Sequence, residues 1–419
     1  MPRGQVLAVA YDLGAASATE IAASLGDVAE LVFLVADSEH TREVRPVLAE
    51  FGRCVPVTGD IATDAAAIRA FAPRAVVTFS EPMLRFASGV AAELGLPFHQ
   101  PETTWLLTDK FAQRARLRSA GVDSVRSARI DKESDWWPAL ARVGMPAVVK
   151  PAWGGGSEDT HFLPDAAAAR RVLAELSDRL SSRRGWVVEE YLQGRPGHPY
   201  GDYVSVESFC GPHGPVHVAL TGKFPLEPPF RECGQFWPAA LPAAEQAQVV
   251  DLVTRALAAL DMRIGMAHTE VKLTTAEPRI IEVNGRLGGN IQDLALRSRA
   301  ADLVRVCGLA ALGEPVRIAP AQPDKVYFQY MFLTPIRPCR MVAAHGVENL
   351  REVAGITTYR AAVRPGDLVP GGVGTRQIGQ LYGVAEDHRA MFEILASALS
   401  ELSFDFVGAD GEQFTLTRR

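Results

Sequence analysis

The chain has 419 residues, a formal charge of −6 at pH 7, 47% hydrophobic and 22% charged residues, a balance that excludes an extended disordered protein and gives no electrostatic reason for a polyanionic partner. Its length exceeds what a single core supports and predicts two to four domains or subdomains. Five scattered cysteines (Cys54, Cys210, Cys233, Cys307, Cys339) include no CxxC pair, which suits a reducing compartment without disulfides. The start of the chain lacks a signal-peptide pattern, and no run approaches the roughly eighteen apolar residues of a membrane span. The expectation is a cytoplasmic protein acting on small molecules, with neither nucleic acid nor membrane as partner.

In chain order, QVLAVA (5–10) and LVFLVA (31–36) predict buried strands around a helix in SATEIAASLGDVAE. A third unit follows, then AVVTFSE (75–81) and an alanine-rich helix ending at Gly95. This alternation predicts an α/β unit over about residues 1–100, a parallel sheet with helices on both faces. No GxGxxG follows its first strand, so a dinucleotide site there is unsupported. A helix is expected from Thr108 to Gly121, a strand in PAVVKP (146–151), the glycine run WGGGSEDT, a helix (165–180) and a strand in GWVVEEYL (185–192). The strands YVSVESF and VHVALTGKF precede a proline-rich stretch, PLEPPFRECGQFWP (225–238), expected to lack regular structure. A helix (243–260), the strands GMAHTEVKLT and PRIIEVN, and one long helix (291–312) complete a strand-rich α+β region. After a proline-containing link (313–325), VYFQYMFLT and GITTYRAAV predict strands, and residues 386–402 a helix.

The stretch EVNGRLGGN (282–290) carries the most chemistry. A strand puts Glu282 and Asn284 on one face, with Arg286 just past its end. An antiparallel hairpin would bring Glu270 beside Glu282. Two carboxylates and an amide oxygen are the hard ligands magnesium takes together with nucleotide phosphates, and Arg286 could then face charge developing on a transferring group. Against this stands an ordinary charged surface hairpin. Lys150 ends an apolar strand before Gly154, Gly155, Gly156 and Ser157, a loop whose amides can approach phosphates; it is not a Walker A loop. We read Lys150 as an exposed loop-edge side chain. Lys110 is a second candidate phosphate contact, and either lysine is also compatible with plain solvation. The segment Glu189, Glu190, Tyr191 and Leu192 offers a strand edge to an adenine, and Asp202 a carboxylate to ribose hydroxyls.

Taken in order, a lysine, a lysine with glycine loop, EEYL, an acid, Glu270 and then Glu-x-Asn-x-Arg resemble the ATP-grasp superfamily over nearly the whole chain, and within it the L-amino-acid ligases of the bacilysin type. The resemblance implies a Rossmann-like preATP-grasp domain (1–100), an ATP-grasp domain (101–320) with a lid at about 120–188, and a C-terminal subdomain (321–419). By the same resemblance, Lys110 and Lys150 contact ATP phosphates, residues 189–192 bind adenine and Asp202 the ribose. Glu270, Glu282 and Asn284 ligate Mg2+, with Mn2+ as a substitute, and Arg286 stabilises the acyl phosphate and the tetrahedral species after it. Glu232 accepts a substrate α-ammonium. Gln235 stands where the family usually has histidine, and His268 is a nearby replacement. Glu158 and Asp159 are acids unusual in such a loop and must point away from phosphate.

The implied activity is ATP-dependent joining of a carboxylate, an α-amino acid, to an amine through an acyl phosphate, giving ADP and phosphate; a homodimer is an admissible assembly. The alternatives are an ATP-grasp carboxylase or purine-type ligase, a nucleotide-binding regulator without turnover, and a zinc site using His213 and His217, for which no third ligand is evident.

Overall fold

The computed structural model describes residues 4–180 and 185–417. The remaining residues, 1–3 of the expected first domain, 181–184 of the expected lid and 418–419, lie outside the described residues. The strands Val6–Tyr11, Glu30–Val35, Arg53–Pro56 and Ala75–Thr78 form a parallel sheet in the order third, second, first, fourth. Parallel strands covered on both faces read as unbroken apolar runs, and VLAVAY and ELVFLV are buried at nearly every position. The alanine-rich helix Leu84–Leu94 stops at Gly95, whose φ of 69° forms the left-handed cap that glycine tolerates best.

The expected helix near Thr108 starts at Lys110 and is preceded by a second one, Pro101–Thr108. Asp109 between them has an extended backbone, and its carboxylate accepts from the Ala112 amide at 2.9 Å. This N-cap makes Lys110 the first residue of its helix. The strands Ser127–Ile130, Trp186–Glu190, Ala147–Pro151 and His161–Leu163 then form an antiparallel sheet in that order. Trp136, Leu140, Val143, Leu176 and Trp186 give it a core of its own.

The largest element is an eight-stranded antiparallel sheet ordered Pro278–Asn284, Gly265–Leu273, Tyr203–Gly211, Gly214–Lys223, Gly234–Trp237, Val326–Leu333, Gln377–Ala385, Ile356–Ala361. It runs across residue 321, so three strands from the last hundred residues extend it. Two expectations are corrected here. The proline-rich stretch is regular at its end: the prolines cease at Pro229 until Pro238, and the aromatic GQFW, with its donors free, pairs with both neighbouring strands. The long helix at 291–312 is two, Ile291–Arg297 and Leu303–Ala311. Arg299 adopts φ 55° and Asp302 caps the second helix by accepting from the Arg305 amide, a local bond that outcompetes helix continuation. A last sheet combines Leu368–Val369, Cys339–His345, Ser403–Gly408 and Gln413–Thr417. No helix among the described residues is long and apolar enough to cross a membrane, and all five cysteines are free thiols.

Candidate active site

The register of the eight-stranded sheet builds the site. Asn284, His268 and Glu207 are aligned across three strands, and Glu282, Glu270, Ser205 and Thr221 lie in the next rank. Members of successive ranks are two residues apart along each strand, so all share one face. Like charges directly opposed across a ladder repel, and here both carboxylates are compensated. The Lys110 ammonium sits 3.0 Å from Glu282, and His268 Nε2 is 3.5 Å from Glu270. Burial works against ionised Glu270, but the His268 bond and charge, with Lys223 and Arg286, hold its pKa down at about 2.

His268 is held from behind. Burial disfavours its charged form, yet the fully buried Glu207, 2.8 Å from Nδ1, pushes its pKa up to about 9. Ser205 Oγ donates a further bond to the same carboxylate at 2.9 Å, as a buried charge requires. The ring lies against Gly288, where a Cβ would come within 2.4 Å of Nδ1; this close approach explains one glycine of RLGGN. With both nitrogens facing carboxylates, His268 is committed to the Glu207–Glu270 line.

Lys150 is buried rather than exposed. Its strand lies inside the four-stranded sheet, paired with Trp186–Glu190 and His161–Leu163, and its ammonium lies 2.9 Å from Glu189 Oε2. Arg114, on the helix Lys110–Ser119, takes the other oxygen at 2.9 Å. Burial alone would raise the Glu189 pKa, but these two cations lower it to about 2. Glu189 therefore uses its side chain to hold Lys150, leaving only its backbone to the strand edge. Lys110 donates to the Gly154 carbonyl as well as pairing with Glu282; burial opposes its charge, and Glu282 with Glu81 and Glu189 keeps its pKa above the usual value. The two lysines thus each pair with a carboxylate, Lys110 with Glu282 and Lys150 with Glu189. Asp159 is bound by both Arg179 nitrogens, at 2.9 and 3.1 Å, which directs it away from the loop's open side.

Arg286 is fixed at three points. Its Nε lies 3.0 Å from Glu81, Nη1 donates to the Leu287 carbonyl at 2.9 Å, and Nη2 reaches Asn284 Oδ1 at 3.4 Å. Glu81 follows the carboxyl end of the strand Ala75–Thr78 of the parallel sheet. Burial raises its pKa, Arg286 offsets part of this and Glu282 adds to it.

At the strand edge, the Tyr191 amide donates to the Pro146 carbonyl at 3.1 Å and Glu190 pairs with Arg126 at 2.6 Å. Tyr191, Phe162 and Phe230 cluster beside it, with ring centroids 4.6 to 6.4 Å apart. Asp202 is bonded to Lys272 at 2.7 Å. Across the cleft, Glu232 Oε1 accepts from Lys223 at 2.8 Å and from the Tyr203 hydroxyl at 3.1 Å. Gln235 accepts from the same lysine at 2.9 Å and donates to the Gly289 carbonyl at 2.7 Å. His217 spends both nitrogens on Ser208 and Thr254, at 2.8 and 2.9 Å.

Residues 143–293 match the family described as the ATP-grasp domain. That span resembles an ATP-grasp domain. It is 27% identical to the uncharacterized protein y4rH of Sinorhizobium fredii, across 81% of this chain and 70% of that protein. Alanine–anticapsin ligase of Bacillus subtilis is 26% identical across 52% of this chain, and the match spans about half (49%) of that ligase. An L-amino acid ligase from Bacillus licheniformis has the same fold, with a TM-score of 0.76 at 19% identity over 96% of this chain and 98% of that one.

The matched span holds most of the site, while Lys110, Arg114 and Glu81 enter from upstream. Arg114, Glu207 and Glu81 were not singled out in the sequence, and Lys223 was marked only as one of six lysines in an arginine-rich chain. Lys223 carries a compositional signal, since only six lysines occur among 43 basic residues and four of them (Lys110, Lys150, Lys223, Lys272) pair with the carboxylates Glu282, Glu189, Glu232 and Asp202. Glu81 had another: ligands of parallel α/β sheets gather at the carboxyl ends of strands.

The oxygens of Glu270, Glu282 and Asn284 suit a hard cation. Both carboxylates are partly open to the cleft, 28% and 16% exposed, and cationic side chains neutralise them. No group of three or more His, Cys, Asp or Glu among the described residues is arranged to hold a metal alone, so phosphate oxygens would have to complete the set.

Proposed function

We propose that this ATP-grasp ligase joins an α-amino acid to an amine, activating the amino-acid carboxylate as an acyl phosphate and releasing ADP and phosphate. The observation that carries this reading is the linked cluster in which Lys150 pairs with Glu189, Lys110 with Glu282, Glu282 opposes Glu270, Glu270 lies within the fields of Arg286 and Lys223, and Lys223 pairs with Glu232. In the first step a carboxylate oxygen attacks the γ-phosphorus and the bond to ADP breaks. In the second the amine nitrogen attacks the acyl carbon, the C–O bond to phosphate breaks, and the amine proton leaves with the phosphate.

Lys110 and Lys150 hold phosphate oxygens, and the glycine loop keeps water from the acyl phosphate. The strand edge at 189–192, flanked by the aromatic cluster, takes the adenine, and Asp202 the ribose. Glu270, Glu282 and Asn284 would hold Mg2+, which supplies charge neutralisation at the β- and γ-phosphate oxygens. Glu232 meets the substrate ammonium. Its Oε1 is engaged by Lys223 and Tyr203, so the remaining oxygen serves the substrate. Lys223, nearly buried between Glu232 and Gln235, is charged: burial opposes this, but Glu232 and Glu270 keep its pKa above the usual value. The relatives' names support the reaction class, alanine–anticapsin ligase above all.

A screen of amino acids, singly and in pairs, with ATP and magnesium tests the reading through phosphate release. Release that depends on an amino acid and yields ADP agrees with it; AMP and pyrophosphate contradict it. Glu232→Gln should raise KM for the amino acid more than KM for ATP, because charge-assisted bonds are about twice as strong as neutral ones. Equal effects on both would place Glu232 outside the amino-acid pocket.

A further inference from the structure

The turn 371–376, Gly-Gly-Val-Gly-Thr-Arg, lies between the two loops assigned to different substrates. The Thr375 amide donates to the Gly156 carbonyl at 3.0 Å, and the Val373 carbonyl accepts from the Asp159 amide at 3.4 Å. Thr375 also faces the other way. Its hydroxyl oxygen accepts from the Glu232 amide at 3.2 Å. One residue therefore bonds by its backbone to the glycine loop and by its side chain to the residue that meets the amino acid.

The turn is anchored on the same scaffold as Glu232. The Gly372 amide donates to the Ile336 carbonyl at 2.8 Å, and the Arg376 side chain donates to the Gly371 carbonyl at 2.9 Å. The Thr334 amide donates to the Arg376 carbonyl at 2.9 Å, and Thr334 in turn accepts from Arg231, next to Glu232, at 2.8 Å. The glycine loop is held at its start by Lys110, through the Gly154 carbonyl, and near its end by Arg179, through Asp159. Ser157 and Asp159 adopt φ of 56° and 51°, a region unfavourable to non-glycine residues that persists only where surroundings enforce it. The contacts from Thr375 and Val373 are part of that enforcement.

We propose that Thr375 is a positioning residue that couples closure of the glycine loop over the nucleotide to the placement of Glu232 for the amino acid. The proposal rests on the roles given above to the 154–160 loop and to Glu232. Closure brings the Gly156 carbonyl to Thr375, and the ordered turn then fixes the Glu232 backbone through the hydroxyl. By reciprocity, nucleotide tightens amino-acid binding by the same factor as amino acid tightens nucleotide binding. The amino acid is thereby positioned for activation only once ATP is enclosed.

The test uses the full chain and whichever of the twenty proteinogenic amino acids gives the fastest phosphate release. Its affinity is measured with and without saturating AMP-PNP for wild type, Thr375→Val, Thr375→Ser and Glu232→Gln. Wild type should show coupling of about tenfold, within the usual range for linked sites, and Thr375→Val should reduce it to about twofold or less. Steady-state kinetics of Thr375→Val should show the amino-acid KM and the ATP KM, each at a saturating level of the other, raised together while AMP-PNP affinity without amino acid stays unchanged, and Thr375→Ser, which keeps the acceptor, should restore both. KM values do not depend on the folded fraction, so partial misfolding does not obscure the result. Undiminished coupling in Thr375→Val, or equal damage by Thr375→Ser, overturns the proposal alone if Glu232→Gln still weakens amino-acid binding. A Glu232→Gln protein with unchanged amino-acid affinity overturns both the proposal and the role of Glu232.

Discussion

Arg286→Lys is expected to lower kcat by about a hundredfold or more with a smaller change in ATP affinity, the usual scale for losing one preorganised donor. The guanidinium is held by Glu81 at 3.0 Å, the Leu287 carbonyl at 2.9 Å and Asn284 at 3.4 Å, so its fork is oriented before any substrate arrives. Charge on the transferring oxygens, and later on the acyl oxygen, rises along the reaction coordinate. A fixed planar donor stabilises the later state more than the earlier one. Lysine keeps the charge but cannot satisfy Glu81, Asn284 and a reacting oxygen together. A purely structural arginine, pinning the turn before LGGN, predicts instead a lower melting temperature with near-native kcat per folded molecule. Thermal unfolding and kinetics on one preparation separate the two.

The second large effect is expected at Glu189, and it is one of folding. Glu189→Gln leaves Arg114 and Lys150 buried without their carboxylate, a loss of about 3–5 kcal/mol on the usual scale for breaking a buried ion pair. Lys150→Met should be milder for the fold, because Glu189 keeps Arg114, but it should abolish most ATP binding. The premise of an exposed Lys150 would have made that variant neutral for stability. Its burial predicts a measurable drop in melting temperature as well. Chemical denaturation of the two variants, with nucleotide titration of each, checks the contrast. A Glu189→Gln protein as stable as wild type would show that the Arg114–Glu189–Lys150 cluster contributes nothing net.

The ATP-grasp resemblance and the α/β followed by α+β architecture were legible in the sequence because they rest on local signals. Strand alternation placed Glu282 and Asn284 on one face, and the hairpin placed Glu270 in register with Glu282. The rest was not legible because it depends on non-local packing. Glu81, just past the parallel sheet, meets Arg286, just past a strand of the eight-stranded sheet, and Arg114 meets Glu189 across 75 residues. Gln235 looked like an unexplained departure from the family. In the structure it bonds Lys223 and the Gly289 carbonyl, linking the Glu232 loop to LGGN. The strand Gly234–Trp237 was hidden by prolines that end four residues before it, and the break at Asp302 by an apolar pattern that continues across it.

The account stands or falls on activation of the carboxylate by phosphoryl transfer. The direct measurement is to supply the amino acid identified by the screen with 18O in its carboxylate, together with ATP, magnesium and the amine, and to follow the label by mass spectrometry of the released phosphate. An acyl phosphate formed by attack of the carboxylate transfers one labelled oxygen to each phosphate released with ADP. Label appearing in AMP, or phosphate released free of label while amide accumulates, would contradict the route and with it the roles given to the Glu270–Glu282 pair and Arg286.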